Sequence, residues 1–241
     1  MRVQPNVVLI EHTPNPDKLI ALSAKLCYSD ADILDLKNVV EEKEQDKFIS
    51  KLMSMSHLSP IEHASFTFGI EGVSRSLLAQ ITRHRVASFS VKSQRYVGAN
   101  EDFNYILPPS IETLGSEAAA EFDEQMKTIG KWYKAWQDRL GGNGESANED
   151  ARFVLPNSSE TKMLVTMNAR ELLHFFELRC CNRAQWEIRE IAWQMLGICK
   201  AIAPSIFKNA GPSCLQGRCG EGAKTCGKSA EVKQRADNLV K

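Results

Sequence analysis

The sequence predicts an α/β protein of the α+β type: a mixed or antiparallel central sheet packed with long helices, and not a Rossmann fold. Three observations carry this. From His63 to Glu71 the chain alternates, with Ala64, Phe66, Phe68 and Ile70 on one face and Ser65, Thr67, Gly69 and Glu71 on the other, the period-two pattern of a half-buried strand. From Ser116 to Leu140 the apolar residues Phe122, Met126, Ile129, Tyr133, Trp136 and Leu140 recur at helical spacing, and Gly141-Gly142 ends the run. No Gly-x-Gly-x-x-Gly follows a strand, and there is neither a Walker loop nor a Gly-x-Ser-x-Gly elbow, so a flavin or nicotinamide would not be held by the common dinucleotide fold.

The remaining elements follow in order. Asn6 to Ile10 is an apolar, partly β-branched run that reads as a buried strand. Asn15-Pro16-Asp17 signals a helix start, with Asn as N-cap and Pro at the first helical position, and that helix runs to about Tyr28. One charged helix is expected from Leu34 to Met55, with Val40, Ile49, Leu52 and Met53 inward. Val73, Leu77 and Ile81 share a helical face that leads into the stretch Arg83 to Tyr96; Pro108-Pro109 marks a loop. A short helix near Ala147 to Phe153, a strand over Thr161 to Met167, a helix over Asn168 to Cys181 and a long helix from Ala184 to Ile202 complete the core. The expected organisation is one domain, 1–210, followed by an irregular Cys- and Gly-containing tail, 211–241.

Composition narrows the function classes. Thirty basic and thirty acidic side chains cancel, so no global field points to nucleic acid or to a membrane, and a basic site must be local. No apolar run is long enough to span a bilayer, and the first residues do not read as a signal peptide, so a cytoplasmic protein with reduced thiols is expected.

The local basic site is the stretch Arg83 to Tyr96, RHRVASFSVKSQRY. It carries Arg83, Arg85, Lys92 and Arg95, the adjacent His84, and Ser88, Ser90 and Ser93, with no acid among them. Such a run repels itself unless an anion is present, and the hydroxyls add neutral donors. A solvated basic surface is the alternative. If the helix continues through the motif, Gln80, Arg83 and His84 share a face and Arg83 and Arg85 diverge toward two ligands. Arg179 follows Leu172 and Phe176 at helical spacing and should point inward, where a guanidinium needs an anionic or multi-acceptor partner; a plain helix C-terminal cation is the other reading. Asn168, Arg170 and His174 open the same helix, either as an anion site or as a cap with surface charge. Cys214, Cys219 and Cys226, separated by four and six residues, fall one ligand short of a zinc site, and no metal is expected; Cys180-Cys181 read as small buried hydrophobes.

Taken together these blocks resemble a known family. Arg83-His84-Arg85 followed after seven residues by Ser93 looks like the signature of the flavin-dependent thymidylate synthases. The blocks HLSPIEH at His57 to His63, Gln80, Ser93-Gln94-Arg95-Tyr96, Arg152, Asn168-Ala169-Arg170, and Leu178-Arg179 before AQWE agree with that family, in order, over residues 15 to 207. The resemblance implies methylation of dUMP to dTMP with methylene-tetrahydrofolate as carbon donor and NADPH-reduced FAD as hydride donor, in a homotetramer with shared active sites. By position it assigns Gln80, Arg83, Ser93, Gln94, Arg95, Arg152 and Arg179 to dUMP. It assigns His57, Ser59, Glu62, Arg83, His84, Arg85, Asn168, Arg170 and His174 to FAD. Arg179 is the expected catalytic group, favouring the N3-deprotonated pyrimidine by its charge. Val91 departs from the family at a position usually held by an acid or amide. A nucleotide- or RNA-binding module without methyltransferase activity, stacking bases on Phe89 and Tyr96, is the competing reading.

Overall fold

The computed structural model describes residues 1–99 and 101–239, so the last two residues of the expected tail lie outside the described residues. The α+β expectation holds. Four strands, β1 (Asn6–His12), β2 (Ser65–Ser74), β3 (Ala87–Val91) and β4 (Glu160–Asn168), form one antiparallel sheet in the order β1-β2-β4-β3. The helices are α1 (Pro16–Leu26), α2 (Ile33–Glu41), α3 (Asp46–Ser54), α4 (Arg75–Ile81), α5 (Pro109–Glu112), α6 (Ser116–Arg139), α7 (Glu145–Ala151), α8 (Ala169–Arg179), α9 (Trp186–Ile202), α10 (Pro204–Phe207) and α11 (Ser229–Asn238). The chain divides into two compact units, one of residues 1–6, 69–83 and 89–164, the other of residues 7–68, 84–88 and 165–241.

In the second unit, the inward face of β2 is as the alternation predicts: Ala64, Phe66 and Phe68 are fully buried. Phe66 meets Phe207 edge-on at 5.6 Å between centroids, and Phe207 meets Phe176 of α8 at 5.9 Å. Thr67 and Thr166, opposite each other on β2 and β4, share a hydroxyl hydrogen bond of 2.9 Å on the other face. The strand β1 differs from expectation. Val8 and Ile10 are 47% and 55% exposed, because β1 is an edge strand covered on one face, while a continuous apolar run reads as covered on both.

Three helical readings also change. Asn15 precedes α1 in a left-handed conformation, φ 47°, and its carbonyl rather than its side chain accepts from Lys18 and Leu19. The single helix expected from Leu34 to Met55 is broken into α2 and α3. Glu41, Glu42 and Glu44 crowd the C-terminal end of α2, where the helix dipole disfavours anions. The buried Gln45 side chain then closes the break, donating to the Val40 and Lys43 carbonyls at 2.9 Å each. The tail holds more structure than expected: α11 buries Val232 and Ala236, one helical turn apart, and Arg235 pairs with Glu190 at 2.7 Å while lying over Trp193.

In the first unit, α6 has the predicted limits but a rotated face. Ala119, Met126, Gly130, Tyr133 and Gln137 are buried, while Trp136 and Leu140 of the predicted stripe are 47% and 44% exposed. The rotation is roughly 50° at 100° per residue. Two residues that carry no apolar signal cause it. A Cβ at Gly130 would stand 1.9 Å from the Glu101 carbonyl oxygen, so only glycine permits that approach. Gln137 joins a buried polar network, donating to Asn148 Oδ1 at 2.6 Å.

Candidate functional site

The stretch Arg83 to Tyr96 is not a helical continuation. Helix α4 ends at Ile81, Thr82 to Val86 form a turn, and Ala87–Val91 is the unforeseen strand β3. The shared helical face expected for Gln80, Arg83 and His84 therefore does not exist. Arg83 and Arg85 are exposed on the turn and carry no salt bridge among the described residues, whereas His84 is 5% exposed.

In the first unit, the basic stretch acquires acids from elsewhere in the chain. Arg95 is clamped by two carboxylates of α7, Glu145 at 2.7 Å and Glu149 at 2.6 Å, and Lys92 lies 3.9 Å from Glu160. The stretch is thus only partly in need of a bound anion, which corrects the argument from its own composition. Ser93 Oγ accepts from the Arg95 and Tyr96 amides at 3.1 and 3.4 Å, which makes a tight turn and orients Arg95. Behind it, Asn148 Nδ2 donates to the Arg95 carbonyl at 3.1 Å, while Asn148 Oδ1 accepts from Tyr133 Oη and Gln137 Nε2. Gln80, Gln94 and Arg152 are half-buried, and Arg152 Nε donates to the Glu149 carbonyl at 3.0 Å.

Arg75, which the sequence reading passed over, belongs with them. Burial, and then the neighbouring positive charge of Arg152, push its guanidinium pKa down. Two cations close enough to oppose each other's charge repel, a repulsion that a bound anion would relieve. The signal was available: a cation in the first turn of α4 opposes the helix dipole and has no local reason to be there.

In the second unit, three residues form a relay. His84 Nδ1 stands 2.8 Å from Glu171 Oε1, and Arg179 Nε donates to His84 Nε2 at 3.1 Å. Arginine is only a donor, so Nε2 must carry the lone pair and Nδ1 the proton, which it donates to the Glu171 carboxylate. The His84 pKa is held below the usual range, by burial first and also by the Arg179 and His174 charges, against the opposing pull of Glu171. The imidazole is neutral, and its ring packs edge-on to Phe175 at 4.9 Å. Arg179 is half-buried, as its spacing predicts, and one of its partners in the fold is this neutral histidine. Glu171 was not foreseen: it reads as an ordinary first-turn acid on α8, and only the buried His84 beside it gives it a role.

Beside the relay lies a cavity of about 1070 Å³ whose wall includes Glu62, Val86, Asn168, Arg170, Glu171 and His174. Asn168 caps α8, accepting from the Glu171 amide at 2.9 Å, so the cap reading of that residue holds. Arg170 is salt-bridged to Glu62, both on the surface. Ser59 is exposed just before a 3-10 turn, and His57, also exposed, lines a different cavity of about 440 Å³ with Tyr28, Phe48 and Met55. His174 is exposed, its ring 6.0 Å from that of His84.

Comparison with known proteins gives these clusters a family. The family described as thymidylate synthase complementing protein matches residues 8–205. A flavin-dependent thymidylate synthase of Geobacter sulfurreducens is 50% identical over 229 residues, 95% of this chain and 96% of that protein. One of Clostridium tetani is 48% identical over 239 residues, 95% of each chain. Among solved structures, the UMP/dUMP methylase PolB from Streptomyces cacaoi, bound with 5-Br dUMP, superposes with a TM-score of 0.70 at 24% identity, covering 86% of this chain and 94% of that one; at that identity the likeness is one of fold. With the family matched over most of the sequence and relatives near half-identical across almost their whole length, the chain belongs to the flavin-dependent thymidylate synthases.

Proposed function

We propose that the protein methylates dUMP to dTMP, with FAD as cofactor and with methylene-tetrahydrofolate and NADPH as co-substrates. Membership of the family sets aside the nucleotide- or RNA-binding module. The single structural observation that carries the reading is the Glu171–His84–Arg179 relay, which presents a guanidinium through a neutral imidazole.

Two groups of residues divide the task. Arg95, Arg152 and Arg75, with Ser93, Gln80, Gln94 and Arg83, hold the nucleotide; fixed guanidinium forks match phosphate oxygens better than point charges do. For Arg95 this requires the phosphate to compete with Glu145 and Glu149, whose exposed pairs with it are weak.

The cavity of the second unit is large and polar enough for the flavin: about 1070 Å³, at the upper end for ligand sites, with Arg170, Asn168 and His174 on its wall. His84, Arg85, Arg83, Ser59, His57 and Glu62 complete the proposed flavin set. Binding a phosphate at Arg170 displaces Glu62 from it. When bound and reduced, the flavin supplies the hydride that completes the methyl group.

Arg179 supplies charge to the pyrimidine ring, favouring the N3-deprotonated form. His84 helps keep that guanidinium in place by accepting from Nε. A homotetramer with shared sites is part of the reading. Exposed Arg83 and Arg85, and the outward Val8 and Ile10 of β1, are the surfaces a neighbouring subunit would cover. A cytoplasmic location suits seven free thiols, and none of the described helices is long and apolar enough to cross a membrane.

The test is tritium release from [5-³H]dUMP in the presence of FAD, NADPH and methylene-tetrahydrofolate, omitting each in turn. Release that needs all of them supports the reading; protein that neither binds FAD nor releases tritium refutes it.

A further inference from the structure

Four of the seven cysteines line one cavity. Cys214, Cys219 and Cys226 reach it from the segment between α10 and α11, and Cys181 reaches it from just beyond α8. The cavity measures about 270 Å³ and lies within the second unit. None of the four is in a disulfide. Small-hydrophobe packing, the ordinary fate of a free cysteine, fits Cys180, which is fully buried, but not Cys226, which is exposed.

The sulfurs also have donors aimed at them. The Arg183 amide donates to Cys181 Sγ at 3.5 Å, and Asn182 Nδ2 donates to Cys226 Sγ at 3.8 Å. Donors at sulfur stabilise the thiolate, the form in which cysteine binds metal. The spacing along the chain stops one ligand short of a metal centre, and the fold brings the fourth.

We propose that Cys181, Cys214, Cys219 and Cys226 form a structural site for a thiophilic divalent cation, zinc, in a closed tetrahedral sulfur set. Among the described residues no group of three His, Cys, Asp or Glu side chains is placed to hold an ion, so the four thiols must close up for the site to form, with metal binding driving the closure. The movement this needs is confined to the segment that can supply it. Gly217, Gly222 and Gly227 have φ of 98°, 52° and 71° with open space around each, and the side chains from Gly220 to Ala230 are exposed. Each thiol gives its proton to solvent as its sulfur takes up the metal, so one ion displaces four protons at full ligation. The resulting negative centre has Arg183 on the cavity wall to offset it. Four protein ligands leave no open position, so the ion ties α11 and its loop to the end of α8 and takes no part in the chemistry.

The experiment uses the full-length, fully reduced protein stripped of metal and titrated with Co²⁺. The expected result is a sulfur-to-cobalt charge-transfer band with tetrahedral visible bands, saturating at one ion per chain and displaced by Zn²⁺. C219S and C226S each weaken binding by about 100-fold or more, while C27S, outside the cavity, binds as the wild type does. The absence of the cobalt–thiolate band overturns the proposal, as does a band that survives C219S and C226S combined. A disulfide between two of the four, mapped in protein purified without oxidant, overturns it as well.

Discussion

Replacing Glu171 by Gln removes one charge from the relay and keeps its shape, which makes it the sharpest test of how Arg179 is held. In the native protein the Glu171 carboxylate accepts from His84 Nδ1 at 2.8 Å, and this sets His84 Nε2 as the acceptor for Arg179 at 3.1 Å. A glutamine can still accept from Nδ1 through its carbonyl oxygen, but as a neutral acceptor it holds the proton there less strongly. The tautomer that lets Nε2 accept from Arg179 is then no longer enforced by charge. A hydrogen bond to a charged group contributes about 1.5–3 kcal/mol, which corresponds to roughly 10- to 150-fold in rate if the loss falls on the transition state. The pH profile separates positioning from folding. Glu171 raises the His84 pKa against the lowering effect of burial, so its neutralisation moves the acid limb of kcat/KM to lower pH. The measurement is tritium release from [5-³H]dUMP across pH, with flavin absorbance as the check on cofactor binding; Glu171→Asp should restore part of the rate. Wild-type turnover with an unmoved acid limb would show that the relay has no part in the reaction.

Other outcomes follow from the same geometry. Arg179→Ala keeps fold and flavin but loses methylation, with kcat falling far more than dUMP affinity; a kcat within threefold of wild type would refute its role. Arg95→Ala weakens dUMP binding more than FAD binding, and costs about 1 kcal/mol or less of stability because its ion pairs are exposed; isothermal titration with each ligand decides, and equal losses would reject the phosphate assignment. Gly98→Ala places a Cβ 2.7 Å from Asn148 Oδ1, disturbs the network behind Arg95, and is expected to lower unfolding stability by about 1–3 kcal/mol in urea titrations. Because the His84 pKa is depressed on folding, its contribution to stability is complete above the unfolded value near 6.5 and is lost as pH falls through the folded value. His84→Gln should flatten that part of the stability curve, as read by urea midpoints at successive pH.

Periodicity alone located the buried face of β2, the limits of α6 and the C-terminal start and stop of α9, because each is a local pattern whose energetic consequence is local burial. The order of the basic blocks was enough to identify the family, and the inward aim of Arg179 could be read from Leu172 and Phe176 one turn at a time. What depended on partners distant in sequence stayed hidden. Glu145 and Glu149 neutralise Arg95 from fifty residues away, and Gly130 rotates α6 because a carbonyl from another segment needs the space. Glu171 becomes functional only where folding buries His84 against it, and Cys181 joins three later cysteines only across the end of α8. Pattern along a chain encodes which face turns inward; charge compensation, proton position and ligand sets depend on distances in space, and those exist only once the chain is folded.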